Sequence, residues 1–169
     1  MPYQRSTDFD VLAEARRQWE ARGWAAPAAM TATTSIMRAQ QLILACVEDV
    51  LRPFDLTFAR YEALVLLAFS RAGALPLCKM GTRLMVHPTS ITNIVDRLES
   101  QGLVRRSAHP TDRRTTLAEI TDDGRRIVDK ATEAVSATSF GMAALSEREL
   151  DQVTGLLRKV RIDAGDFPG

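Results

Sequence analysis

Residues 83–120 restrict the folds open to this chain more than any other segment: a short helix of small polar side chains, a glycine stop, then a hairpin tipped with arginines. His87-Pro88 starts the helix sharply, because a residue before proline avoids the helical region whereas proline itself suits the first helical position. Ile91, Ile94, Val95 and Leu98 recur at i, i+3, i+4 and i+7, which predicts one face fixed against a core over residues 88–101. Gly102 supplies the left-handed stop. Residues 103–107 and 115–120 read as two strands joined by the loop 108–114. A helix leading into a basic hairpin is an arrangement suited to duplex DNA.

The charge agrees with that location. The chain carries a net charge of only +1, yet Lys79, Arg83, Arg97, Arg105, Arg106, Arg113 and Arg114 face only three acids, Asp96, Glu99 and Asp112, between residues 79 and 114. The positive field is therefore local, and the rest of the chain is acidic on balance.

On the helix from Pro88, a projection at ~100° per residue puts Thr89, Asn93 and Asp96 opposite the apolar face, flanked by Ser90, Thr92 and Arg97. An ordinary solvent face would carry Lys and Glu. Short hydroxyls and an amide instead approach base edges closely, and Asn can bond adenine bidentately. The helix N-terminus at His87 offers backbone N–H groups to a phosphate. Capping of the first turn accounts for one of Thr89, Ser90 and Thr92, not for the whole face. At the hairpin tip, Arg113 and Arg114 extend beyond the domain body, where a narrow minor groove attracts arginine, and Asp112 is close enough to hold one of them.

Around this segment the pattern is mainly helical. Residues 8–22 form an amphipathic helix with Val11, Leu12, Ala15 and Trp19 on one side, and residues 24–30 read as an Ala/Pro linker. A longer helix is expected from about Thr33 to Leu51, where Pro53 stops it, and another, capped by Thr57, to about Arg71. Residues 75–77 form an extended stub and 79–84 a two-turn helix. Thr121 caps a helix to about Phe140, and Ser146-Glu147-Arg148-Glu149 spells a capping box for a last helix to about Ile162, with Val153, Leu156, Leu157 and Val160 facing inward. The chain divides into segments 1–30, 31–56, 57–121 and 122–169, which the resemblance given next implies are an N-terminal extension helix and linker, a dimerisation helix, a winged helix-turn-helix DNA-binding region and C-terminal dimerisation helices. The fold class is mainly α with a small β-hairpin wing.

The combined residues resemble the multiple antibiotic resistance regulator (MarR) family of winged-helix transcription factors. The resemblance rests on residues 84–99, then Gly102-Leu103-Val104-Arg105-Arg106, Pro110-Thr111-Asp112-Arg113-Arg114, Leu117 and Ile120-Thr121-Asp122-Asp123-Gly124, and it spans roughly residues 33–162. It implies that the helix at 88–101 lies in the major groove, that Arg114 enters the minor groove braced by Asp112, and that the terminal helices form a two-fold homodimer. Such a dimer meets a pseudo-palindromic operator in double-stranded DNA, with half-sites about one helical turn, ~10 bp, apart. The DNA-binding set is then His87, Thr89, Ser90, Thr92, Asn93, Arg97, Asp112, Arg113 and Arg114.

Members of the family are commonly repressors released by a small aromatic or phenolic effector bound between the dimerisation and DNA-binding regions. A coupling of only ~1 to 3 kcal/mol suffices for that. A urate-responsive subgroup is similar in its leading helix with a Trp and in an acid of the second core helix, roles that Trp19 and Glu62 would take as an effector pocket. The third position of that subgroup is an arginine, and here it is Ile94, so the pocket location carries over and urate does not.

Other classes fit less well. Two histidines, no His-Glu-x-x-His, no Gly-rich phosphate loop and no Gly-x-Ser-x-Gly elbow argue against an enzyme, and no cofactor or metal is implied. Cys46 and Cys78 lack partners at metal-ligand spacing and read as small buried hydrophobes, with a thiol-based redox regulator of the same fold as the alternative. A winged helix that binds protein rather than DNA is a further alternative. The longest apolar run, residues 63–69, is far short of the roughly 18 residues of a membrane span, and the N-terminus lacks the pattern of a secretory signal, so a cytoplasmic location is expected.

Overall fold

The computed structural model describes residues 7–109, 111–112 and 114–168, which fall into two compact units, one up to Ala45 and one from Cys46 onward. Pro110 and Arg113, both in the expected wing, lie outside the described residues.

In the first unit, α1 (Val11–Ala21) begins at Asp10, whose carboxylate accepts from the Leu12 and Ala13 backbone N–H groups at 2.9 and 3.2 Å. It ends before Gly23, at φ +66°. Trp19 then packs edge-on against Trp24 at 4.9 Å between ring centroids and donates its indole N–H to the Ala25 carbonyl at 2.9 Å, closing the turn. The expected linker over 24–30 is shorter than the sequence suggested, because α2 (Pro27–Leu51) starts at Pro27. Proline fits the first helical turn, and the alanines after it are strong helix formers.

The second unit takes the end of α2, where Val47 and Leu51 are buried, and a 3-10 turn, Arg52–Phe54, imposed by Pro53. Next come α3 (Phe58–Phe69), β1 (Ala74–Pro76), α4 (Leu77–Leu84), α5 (Pro88–Ser100), β2 (Val104–Ala108), β3 (Thr116–Ile120), α6 (Asp122–Ala137) and α7 (Glu147–Asp163). Leu64 and Leu67 of α3, Met80 of α4, Ile91, Val95 and Leu98 of α5, Ala118 and Ile120 of β3 and Val128, Ala131 and Val135 of α6 form the core. The stub expected at 75–77 pairs as an edge strand. The sheet is antiparallel in the order β1-β3-β2, with Leu75 opposite Ala118 and Val104 opposite Ile120.

Gly124 lets the first turn of α6 pack close against the start of β2 and the end of β3: a Cβ there would stand 2.2 Å from the Leu103 carbonyl oxygen. After α6 the chain turns through a 3-10 segment, Ser139–Gly141, with Ser139 and Phe140 at φ +50° and +52°. The Glu149 carboxylate accepts from the backbone N–H and hydroxyl of Ser146 at the start of α7, as its capping-box spelling required.

Two expectations fail on burial. Leu156, Leu157 and Val160 of α7 do not face inward; Leu156 and Val160 are 62% and 61% exposed, because none of the described residues of its own unit covers that side of the helix. Cys78 is exposed and Cys46 only half-buried, so Cys78 is not a core hydrophobe: it lies in the first turn of α4, on the opposite side of the helix from buried Met80. Among the described residues no helix is long and apolar enough to cross a membrane.

Candidate nucleic-acid interface

Helix α5 is held from behind and open in front. Ile91, Val95 and Leu98 anchor it, whereas Thr89, Ser90, Thr92, Asn93 and Arg97 are all exposed. The His87 Nδ1 accepts from the Thr89 backbone N–H at 3.3 Å, so the N-cap is His87 and none of the three hydroxyl residues. The Thr92 hydroxyl donates to the Pro88 carbonyl at 3.2 Å, which leaves its lone pairs for an outside donor. Ile94, expected on the buried face, is only half-buried.

The acids of α5 are already engaged. Arg106 of β2 donates to Asp96 at 2.6 Å, pairs with Glu99 through its other terminal nitrogen, and offers its backbone N–H to Glu99 at 2.9 Å. Burial is the largest single influence on Arg106 and opposes its charge, but the hydrogen bonds and charges of Asp96 and Glu99 together outweigh it and raise its pKa. One strand over, Arg105 and Glu119 are register partners and join through two hydrogen bonds, at 3.0 and 2.6 Å. That contact pulls the Glu119 carboxyl below its ordinary value. Two of the basic residues counted in the sequence therefore neutralise internal acids. Among the described residues, Lys79, Arg83, Arg97 and Arg114 have no acidic partner within 4.0 Å and carry the outward positive field.

At the wing tip, Asp112 accepts from the Arg114 backbone N–H at 3.0 Å and from the Thr115 hydroxyl at 2.6 Å. These bonds, Thr115 first, lower its pKa. The brace expected between Asp112 and Arg114 thus acts on the backbone and leaves the exposed guanidinium free to reach outward.

Sequence reasoning missed a second feature of this face. A recess of about 560 Å³ beside α5 brings Asn93, Ile94 and Arg97 together with Thr57 and Arg60 at the start of α3. Gln101 closes its floor by donating to the Asp55 carbonyl at 2.8 Å and carboxylate at 2.7 Å, pinning the end of α5 to the turn before α3. Thr57 was legible only as a cap; a separation of some 40 residues hides its approach to α5.

A separate cleft of about 690 Å³ lies between α3 and α6. Its walls are Phe58, Val65, Leu66, Phe69 and Val128 with Phe140 from the 3-10 turn, and its polar groups are Tyr61, Glu62, Asp129, Thr132 and Ser136. Tyr61 and Thr132 hydroxyls meet across it at 3.1 Å. Burial on one side of Glu62 raises its carboxyl pKa. Of the two expected effector-pocket residues, Glu62 lines this cleft, and Trp19 lies in the first unit, in the turn that closes α1.

A three-stranded wing, an exposed polar helix locked to it and a basic rim define a winged helix-turn-helix protein. The MarR family profile matches residues 56–116. The HTH-type transcriptional regulator MhqR of Bacillus subtilis is 35% identical over 107 residues, 63% of this chain and 74% of that protein. A MarR family transcriptional regulator of Streptomyces coelicolor has a similar structure, with TM-score 0.77 and 52% identity over 83% of this chain and 98% of the other. A mutant MarR of E. coli solved in complex with operator DNA matches with TM-score 0.69 and 25% identity over 76% and 91% of the two chains. The chain belongs to the MarR family and is a DNA-binding transcriptional regulator.

Proposed function

We propose that the protein is a homodimeric, sequence-specific repressor that acts in the cytoplasm and is released from its operator by a small aromatic or phenolic effector. The observation that carries the reading is the front of α5, where Thr89, Ser90 and Asn93 are exposed without any acid left free beside them. In this reading α5 enters the major groove, Thr89, Ser90, Thr92 and Asn93 meet base edges, and His87 and Arg97 meet phosphates. Arg114, with Arg113 beside it in the sequence, reaches the minor groove. Segments 31–56 and 122–169 form the dimer, which supplies a cover for Leu156 and Val160. The effector occupies the cleft between α3 and α6, behind the reading unit.

Selection of bound sequences from a random duplex library, followed by fluorescence anisotropy across a salt series, tests the proposal. It expects a pseudo-palindrome with ~10 bp between half-site centres and an affinity that falls steeply with salt. A winged helix that serves protein contacts would enrich no sequence.

A further inference from the structure

The polar lining of the cleft between α3 and α6 is one-sided. Glu62 stands on the α3 wall and Asp129 on the α6 wall, and among the described residues no Lys, Arg or His lines the cleft. The other polar groups are hydroxyls, of which Tyr61 and Thr132 already bond each other. The remaining surface is aromatic and aliphatic, and a volume of about 690 Å³ is within the range of small-molecule sites.

An organic anion entering this space would lose water and find two carboxylates and no compensating cation. A cation with an apolar body meets the opposite case: its body covers Val65, Leu66 and Phe140, while its charge lies between two acids and beside aromatic rings. We propose that this cleft selects a lipophilic organic amine in its protonated form, a choice of effector class that rests on the cleft being the effector site. Glu62 is exposed overall, and the partial burial that raises its pKa would be offset by a positive partner.

The test uses three probes with one aromatic body: 2-naphthylmethylamine, 2-naphthol and 2-naphthoate, titrated calorimetrically into the full-length protein, the Glu62→Gln variant and the Asp129→Asn variant. The amine is expected to bind about tenfold more tightly than the carboxylate. Each variant should shrink that preference several-fold while leaving naphthol affinity unchanged, a result that unfolding could not imitate. Equal affinities for amine and carboxylate, a preference for the carboxylate, or a preference that survives both substitutions would overturn the charge selection while the cleft stands as a binding site. Binding of none of the three would remove the cleft as an effector site altogether, and this inference with it.

Discussion

Arg106 of the wing donates to Asp96 of the reading helix at 2.6 Å and pairs with Glu99 one turn further on. The contact joins the helix to the hairpin, the two parts proposed to meet DNA together, and it leaves neither acid of the helix unpaired. Arg106→Ala should therefore weaken operator binding by tenfold or more although Arg106 itself faces the protein. The cost to the fold is smaller. Asp96 is about half exposed, so a double-mutant cycle on Arg106 and Asp96 should give a coupling of about 0.5–1 kcal/mol in urea unfolding. Unchanged operator affinity in Arg106→Ala would show that the wing and helix do not depend on this link.

Asn93 and Arg114 should separate readout from anchoring. Both are exposed and outside the core, so neither alanine variant should shift the unfolding midpoint measurably. Asn93→Ala is expected to change preference by ~1 to 3 kcal/mol at one base pair, whereas Arg114→Ala lowers affinity for all sequences and flattens the salt slope. Anisotropy on the selected operator and on single-base variants measures both. Two variants binding like the parent would unseat the assignment of these residues.

Gly124 gives a test of the fold with a sign that propensity alone gets wrong. An alanine inside a helix ordinarily gains up to ~1 kcal/mol over glycine. Here its methyl would stand 2.2 Å from the Leu103 carbonyl and 2.8 Å from the Ile120 side chain. Because a backbone carbonyl cannot swing aside as a side chain can, Gly124→Ala should destabilise by roughly 3 kcal/mol. A variant as stable as the parent would mean that the first turn of α6 does not approach Leu103 and Ile120 this closely.

What could be read from the chain was what is local. The sharp start at His87-Pro88, the stop at Gly102 and the cap at Ser146 each depend on a few neighbouring residues, and all three hold. The front of α5 was legible because its spacing alone separates Ile91, Val95 and Leu98 from Thr89 and Asn93. The failures come from contacts distant in sequence and from faces whose cover the spacing does not report. Arg106 meets Asp96 only once β2 has its register, and Tyr61 meets Thr132 across 71 positions. The apolar stripe of α7 was read correctly as a stripe and wrongly as inward-facing, because periodicity reports a face and not what covers it. The Pro27 start of α2 was hidden by an Ala/Pro composition that suits a linker and a helix equally.

Glu62 predicts a pH dependence. Burial raises its carboxyl above the ordinary value of 4.5, so folding favours the protonated form. Its contribution to stability is full below that ordinary value and is lost as pH rises through the raised folded value. Glu62→Gln mimics the protonated side chain, so it should be more stable than the parent at about pH 7.5, with the gap closing by about pH 4. Urea midpoints at the two pH values provide the comparison. A gap that is the same at both would show that Glu62 titrates as it does in the unfolded chain.

The exposed stripe of α7 distinguishes a dimer from a monomer. Leu156 is 62% exposed and Val160 61% in the single chain, so Leu156→Asp removes no internal contact of consequence and should alter the unfolding of an isolated chain by less than about 0.5 kcal/mol. If α7 is instead covered by a second copy, two-fold symmetry places the new carboxylate in the interface once from each protomer. Even a total cost of only about 3 kcal/mol for the two unpaired buried charges would raise the dimer dissociation constant about 100-fold. Sedimentation velocity of parent and variant over a concentration series gives the answer directly. A variant that sediments as the parent does at every concentration would place the dimer contact elsewhere. One that becomes monomeric should also lose operator affinity, because a single reading helix addresses only one half-site.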